Sequence, residues 1–264
     1  MTDHHSGAPG SGDPGTGDNT RWIRRYNPRE DAAVRLVCMP HAGGSASYFL
    51  PVARAMPATV DVLAVQYPGR QDRLREPAVG TISELADAVF AALLPWADRP
   101  LGLFGHSMGA AVAFEVARRF EREKGLVAAA LFASGRRAPS THRVETTHLR
   151  DDDGLLDDIR QLSGTDAAVL ADEEILRMVL PAVRVDYRAI ETYVPEPGPP
   201  LRCPVHALVG DADPKATVEE AEAWRDATEG PFELKVYSGG HFYLVDHQTD
   251  VLHRIANALF APPT

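Results

Sequence analysis

Two hydrophobic patterns alternate along the chain. Nearly continuous apolar runs at Val34–Met39, Val60–Val65, Pro100–Phe104, Leu126–Ala133, Pro204–Val209 and Phe232–Tyr237 read as strands. Between them lie helical segments: Tyr48 to Met56, Thr81 to about Leu94, Ala110 to Ala117, one opening at Thr217, and about Asp250 to Phe260. Thr81-Ile82-Ser83-Glu84 and Thr217-Val218-Glu219-Glu220 both have the spacing of a capping box, which starts a helix. Strand, helix, strand, helix predicts an α/β fold with a mostly parallel sheet covered on both faces.

The alternation stops at about residues 140–195, which hold no convincing strand. Leu155, Leu156, Ile159 and Leu162 share one helical face, and Ile175, Leu176, Val179, Leu180 and Val183 share another. This predicts a helical insertion over the carboxyl edge of the sheet. A second small domain is the alternative, but no flexible linker sets the segment apart, and Pro195 to Pro200 leads back to the sheet. Residues 1–20 are Gly, Ser, Pro, Asp and Thr with almost nothing apolar, the composition of a disordered tail. The folded domain is therefore expected over 21–264, its order starting near Trp22-Ile23.

Composition narrows the function classes. The 264 residues are 44% hydrophobic, enough for a sizeable core, and the net charge of -10 argues against nucleic acid or an anionic membrane as partner. Two cysteines, Cys38 and Cys203, are too few for a disulfide framework and read as buried thiols. No apolar run is long enough to cross a membrane, and no secretory signal is visible, so a cytoplasmic protein is expected.

The chemistry centres on Gly105-His106-Ser107-Met108-Gly109, which lies between a predicted strand and a predicted helix. That is the context of a nucleophile elbow, a turn so sharp that the serine Oγ stands clear above the sheet. Side chains two residues either side would collide, so glycine fills both places. An elbow serine needs a base, and the base needs an orienting acid, in the chain order Ser, Asp or Glu, His. His241 follows the last strand and a Gly-Gly pair and is the candidate base. His247 is its main rival, while His206 lies inside a strand and His253 in the terminal helix. For the acid, Asp213 is favoured over Asp211, because Pro214 holds it extended. The oxyanion hole is expected from the N–H of Met108, with Ala42 in the Pro40–Ser45 loop as second donor. No H-E-x-x-H, Cys/His cluster or phosphate loop occurs, so no metal or cofactor is indicated.

The blocks Trp22-Ile23-Arg24-Arg25, Pro40-His41-Ala42-Gly43-Gly44-Ser45-Ala46, Gln66-Tyr67-Pro68-Gly69-Arg70, Gly105–Gly109, Gly210-Asp211-Ala212-Asp213-Pro214 and Gly239-Gly240-His241-Phe242 span nearly everything after residue 20. Together they resemble the type II thioesterases of polyketide and nonribosomal peptide synthesis. The resemblance implies an α/β-hydrolase fold with a helical lid. It implies an editing enzyme that clears aberrant acyl groups from the phosphopantetheine arms of acyl-carrier or peptidyl-carrier proteins. It also carries Ser107, Asp213 and His241 over as triad, and Ala42 with Met108 as oxyanion donors. The thioester substrate rests on the resemblance alone; a carboxylesterase or lipase uses the same triad, and a catalytically silent binding protein keeps the same fold. Two expectations follow for this substrate. The insertion roofs an acyl pocket, with Leu176 and Val179 setting chain length. Arg70, Arg73, Arg136 and Arg137, on loops after parallel strands, either meet the acidic carrier or form ion pairs within the chain.

Overall fold

The computed structural model describes residues 19–162 and 173–260. Seven strands form one sheet: β1 (Ile23–Arg24), β2 (Val34–Met39), β3 (Val60–Val65), β4 (Leu101–His106), β5 (Ala130–Ser134), β6 (Val205–Gly210) and β7 (Phe232–Tyr237). Their order is β1-β3-β2-β4-β5-β6-β7. Only the short β1 runs antiparallel, and the other neighbours are parallel. β2 to β5 are buried along their whole length, as continuous apolar strands require.

Alternate residues feed two cores. Val37, Met39, Leu63, Leu103, Leu131 and Ala207 face α3 (Ile82–Leu93) and α4 (Met108–Arg119). Leu36, Cys38, Val62, Ala64, Phe104 and Phe132 face the opposite way, toward α2 (Leu50–Ala55) and the terminal helix (Gln248–Leu259). A strand pleat sends successive side chains to opposite faces, so helices are needed on both. This is the α/β-hydrolase arrangement. Cys38 and Cys203 are buried free thiols.

Several boundaries differ from the apolar pattern. The expected strand from Leu126 starts only at Ala130, and Leu126 and Val127 are exposed. Pairing with β4 opens at the Ala129 N–H, which donates to the Leu101 carbonyl at 2.8 Å, and Leu101 is the first residue of β4, so residues before Ala129 lie beyond its start. The Tyr48 segment begins as a 3-10 turn over Ala46–Phe49 and becomes α-helical at Leu50. The Thr217 capping box has both of its bonds. At Thr81 only half forms: its Oγ accepts from the Glu84 N–H at 3.2 Å, while the Glu84 carboxylate takes the Thr81 hydroxyl at 2.8 Å.

Two longer helices, α5 (Asp152–Leu162) and α6 (Glu173–Glu191), follow β5, and residues 140–195 contain no strand among the described residues. The tail expected over 1–20 lies outside the described residues up to 18. Its last two residues begin a short helix, α1 (Asn19–Trp22), so the ordered chain starts slightly earlier than the composition suggests.

Candidate active site

The carboxyl ends of β4, β5, β6 and β7 converge on one pocket of about 560 Å³, its open mouth included. Ser107 leaves β4 with φ 55° and ψ -117°, a conformation an L-residue holds only under constraint. Its N–H donates to the Ser134 carbonyl at 2.8 Å, and its carbonyl accepts from the Ala110 N–H at 3.0 Å. The flanking glycines are required by contact. A Cβ on Gly105 would come within 2.0 Å of the Gly109 carbonyl oxygen, and one on Gly109 within 2.0 Å of the Met39 carbonyl oxygen.

His241 is buried after β7 and lines the same pocket as Ser107. Its Nδ1 lies 2.9 Å from each carboxylate oxygen of Asp213. The Asp213 carboxylate also accepts the Lys215 N–H at 2.8 Å, which fixes its orientation. Asp211 is placed differently: its carboxylate accepts the Gly239 N–H at 2.9 Å and ties the β6 loop to the β7 loop. The other histidines are occupied elsewhere. His247 contacts the Ser238 carbonyl at 2.9 Å, His206 stacks on Phe132, and His253 is exposed on the terminal helix.

Ala42 lines the pocket, and Met108 opens α4, where the first N–H groups of a helix have no intrahelical partner. Neither N–H donates to another group among the described residues. Both are therefore open to accept an anion, and the positive end of α4 favours one.

Two further imidazoles pack beside His241. His106 sits 5.0 Å from it, ring centre to ring centre, and His41 sits 6.0 Å from His106. The His106 Nδ1 meets the Ser134 hydroxyl at 2.9 Å, and that hydroxyl meets the Tyr243 phenol at 2.6 Å. Burial and the neighbouring His241 push both imidazoles down, His41 to about 3 and His106 well below its ordinary range. Both are neutral in the folded protein near neutral pH. Unfolding restores an ordinary pKa of about 6.5, so the unfolded chain takes up protons first as pH falls. Stability is therefore full above that value and declines below it. At pH 5 His41, with its folded value near 3, is expected to cost up to about 2 kcal/mol, less what its partial exposure screens, and the fully buried His106 adds to the loss. Thermal melts between pH 7.5 and 5 check this; an unchanged midpoint would show that neither proton uptake is coupled to folding.

Sequence reasoning passed over one residue. Asp186 of α6, buried at 1% exposure, accepts the Gly43 N–H at 2.8 Å and pairs with the buried Arg70 guanidinium. Gly43 is next to Ala42, so this carboxylate restrains the loop that carries an oxyanion donor. A Cβ on Gly43 would meet Val183 of α6 at 3.0 Å, and φ of +75° also favours glycine there. Asp186 falls on a polar position of an amphipathic helix, and no local pattern distinguishes it from a solvated carboxylate.

The arginines divide. Arg70 pairs with Asp186, Arg73 with Glu76 at 2.7 Å and Arg137 with Glu145 at 2.5 Å, and all three are buried. They are internal ion pairs, not a surface for a carrier protein. Arg136 is half-buried and lines the Ser107 pocket. The pocket is also more polar than an acyl tunnel: Glu145, Glu191 and Lys215 share its walls with Ile159, Leu162 and Ile190. The apolar faces of α5 and α6 turn largely onto each other, through Leu155, Leu180, Val183 and Tyr187. Two helices must bury their own stripes before they can offer any to a ligand. Val179 packs against that cluster and is not part of the pocket wall, and the Leu176 side chain lies outside the described residues.

Comparisons with known proteins identify the family. A family model described as Thioesterase domain matches residues 34–259. The cadicidin biosynthesis thioesterase of Streptomyces griseus is 55% identical over 92% of this chain and 68% of its own. Thioesterase PikA5 of Streptomyces venezuelae is 51% identical over 92% of this chain and 86% of its own. Among solved structures, the type II thioesterase BorB of the borrelidin biosynthetic cluster superposes with a TM-score of 0.85 at 53% identity, covering 90% of this chain and 97% of its own. With its α/β-hydrolase sheet and these relatives, the chain belongs to the thioesterase family, among the type II thioesterases of polyketide and nonribosomal peptide biosynthesis.

Proposed function

We propose that Ser107, His241 and Asp213 form the catalytic triad, and that the substrate is an acyl group on the phosphopantetheine arm of an acyl-carrier or peptidyl-carrier protein. The observation that supports the triad most strongly is one pocket shared by a strained elbow serine and an imidazole bonded to a buried carboxylate. Ser107 Oγ attacks the thioester carbonyl while His241 Nε2 takes its proton. Charge builds on the carbonyl oxygen and is met by the Ala42 and Met108 N–H groups, each such donor being worth about 10²–10³ in rate. Collapse breaks the carbon–sulfur bond, and the imidazolium returns the proton to the departing thiol. Water, deprotonated by His241, then attacks the acyl-enzyme, releasing the acid and free Ser107. Asp213 holds Nδ1–H throughout and stabilises the imidazolium.

On this reading α5 and α6 act as the lid. Their residues Ile159, Leu162, Tyr187 and Ile190 reach the pocket wall beside Ser107. The purified protein is expected to release free acid from an acyl-carrier protein and leave its arm as the thiol, with a fluorophosphonate adduct on Ser107 blocking the reaction. The discriminating measurement compares thioester and oxygen ester of one acyl group. A higher kcat/KM on the oxygen ester would favour a carboxylesterase instead.

A further inference from the structure

The Gln66-Tyr67-Pro68-Gly69-Arg70 block supplies no group to the triad or to the oxyanion hole, yet it braces the loop that carries Ala42. The Gln66 amide accepts the Ala46 N–H at 2.8 Å and donates to the Arg70 carbonyl at 3.2 Å. The Arg70 guanidinium, buried 5.1 Å from the Tyr67 ring centre, donates to the Pro68 carbonyl at 2.7 Å and pairs with Asp186. Asp186 in turn accepts the Gly43 N–H. The loop itself is a type II turn over His41–Gly44. The Gly44 N–H donates to the His41 carbonyl at 2.9 Å, and Gly43, the third residue, has φ +75°. Types I and II differ by a flip of the central peptide, here the one joining Ala42 to Gly43. That peptide carries the N–H held by Asp186. The peptide before it carries the Ala42 N–H, and its carbonyl is the one that Gly44 holds. Both planes flanking Ala42 are therefore fixed, one within the loop and one from α6. The same helix reaches the pocket: Tyr187 and Ile190 line it, and Ala42 packs against the cluster of Leu180, Val183 and Tyr187.

We propose that Asp186 is a positioning residue for hydrolysis: through Gly43 it holds the Ala42 N–H on the carbonyl oxygen of the substrate, so that a helix of the lid completes the oxyanion hole. The proposal rests on the thioesterase reading, with Ala42 as a donor. A hole stabilises developing charge only if its donors are already aimed, and a bond to a carboxylate holds an N–H more firmly than one to a neutral acceptor. Arg70 and Gln66 serve the same end one step further out, Arg70 by fixing the carboxylate and Gln66 by tying down the far end of the loop.

The test compares the thioester and the dithioester of one acyl group on N-acetylcysteamine. The two differ only in the atom that enters the hole, and sulfur is a weak acceptor that gains little there. Asp186→Asn is expected to lower kcat on the thioester by about tenfold to a hundredfold, part of what a lost donor costs, with KM changed at most a few-fold. The dithioester is expected to lose at most a few-fold. Asp186→Leu combined with Arg70→Met removes both charges and leaves neither buried alone, so it is expected to fold and to show the same selective loss. In the unmodified protein the Gly43 amide hydrogen is expected to exchange at least a hundredfold more slowly than an exposed amide, a readout that needs no variant. Equal losses on thioester and dithioester, a loss carried by KM, or fast exchange at Gly43 would each overturn the proposal. Turnover of an oxygen ester but of neither sulfur ester would strike the thioesterase reading instead, and the oxygen ester with its thiono counterpart would then carry the same comparison for Asp186.

Discussion

Replacing Ser107 by alanine is expected to reduce kcat on acyl thioesters by a factor on the order of 10⁶, the loss seen when a serine protease gives up its nucleophile. The fold is expected to survive. The elbow is held by backbone bonds, Ser107 N–H to Ser134 and the Ala110 N–H to Ser107, which alanine keeps. The Ser107 side chain does not cap α4, so no structural bond is lost with its hydroxyl. Alanine must still adopt the positive φ, but serine already bears the same Cβ strain. Steady-state kinetics and a thermal melt together check the outcome. A folded Ser107→Ala protein that keeps its activity would remove Ser107 from the mechanism.

Asp213→Asn is expected to cost about 10⁴ in kcat by analogy with the protease triad. The reason is directional. The carboxylate accepts from His241 Nδ1–H, whereas an asparagine amide turned toward that nitrogen donates. The imidazole then carries its proton on Nε2, where it cannot accept one from Ser107. Asp211→Asn is the matched control, since its carboxylate accepts only from the Gly239 backbone among the described residues. That variant is expected to lose at most about 1 kcal/mol of stability and little turnover. A larger kinetic loss at Asp211 than at Asp213 would reverse the assignment.

The elements that sequence makes legible here are those with short-range causes. Nearly continuous apolar runs mark β2 to β4, because a strand buried on both faces has few polar positions, and the charged exceptions, Arg35 and Asp61, are buried beside each other at 3.9 Å. Gly105 and Gly109 announce the elbow because backbone oxygens occupy the places their Cβ atoms would take. Asp213 stands out from Asp211 through the proline that follows it, which is again local. What stays hidden is set by distant partners. The start of β5 depends on where β4 begins, and the burial of Arg70 and Arg137 depends on carboxylates supplied by Asp186 and Glu145. An arginine after a strand looks the same in sequence whether it faces solvent or a buried acid. The polar pocket wall is hidden for a related reason: amphipathic faces show that α5 and α6 bury something, but not that they bury each other.

The Asp186 contact also bears on any attempt to enlarge the substrate range by engineering. Pruning α6 looks like an easy way to admit bulkier acyl groups, since the helix belongs to an excursion from the sheet. The excision would take away the carboxylate that neutralises Arg70 inside the core and restrains the Gly43 N–H. Leaving one half of a buried ion pair behind typically costs about 3–5 kcal/mol, a large share of what holds a domain together. A shortened enzyme would therefore need a second edit, with Arg70 exchanged for an apolar residue and a new acceptor supplied to Gly43, before its wider doorway was of any use.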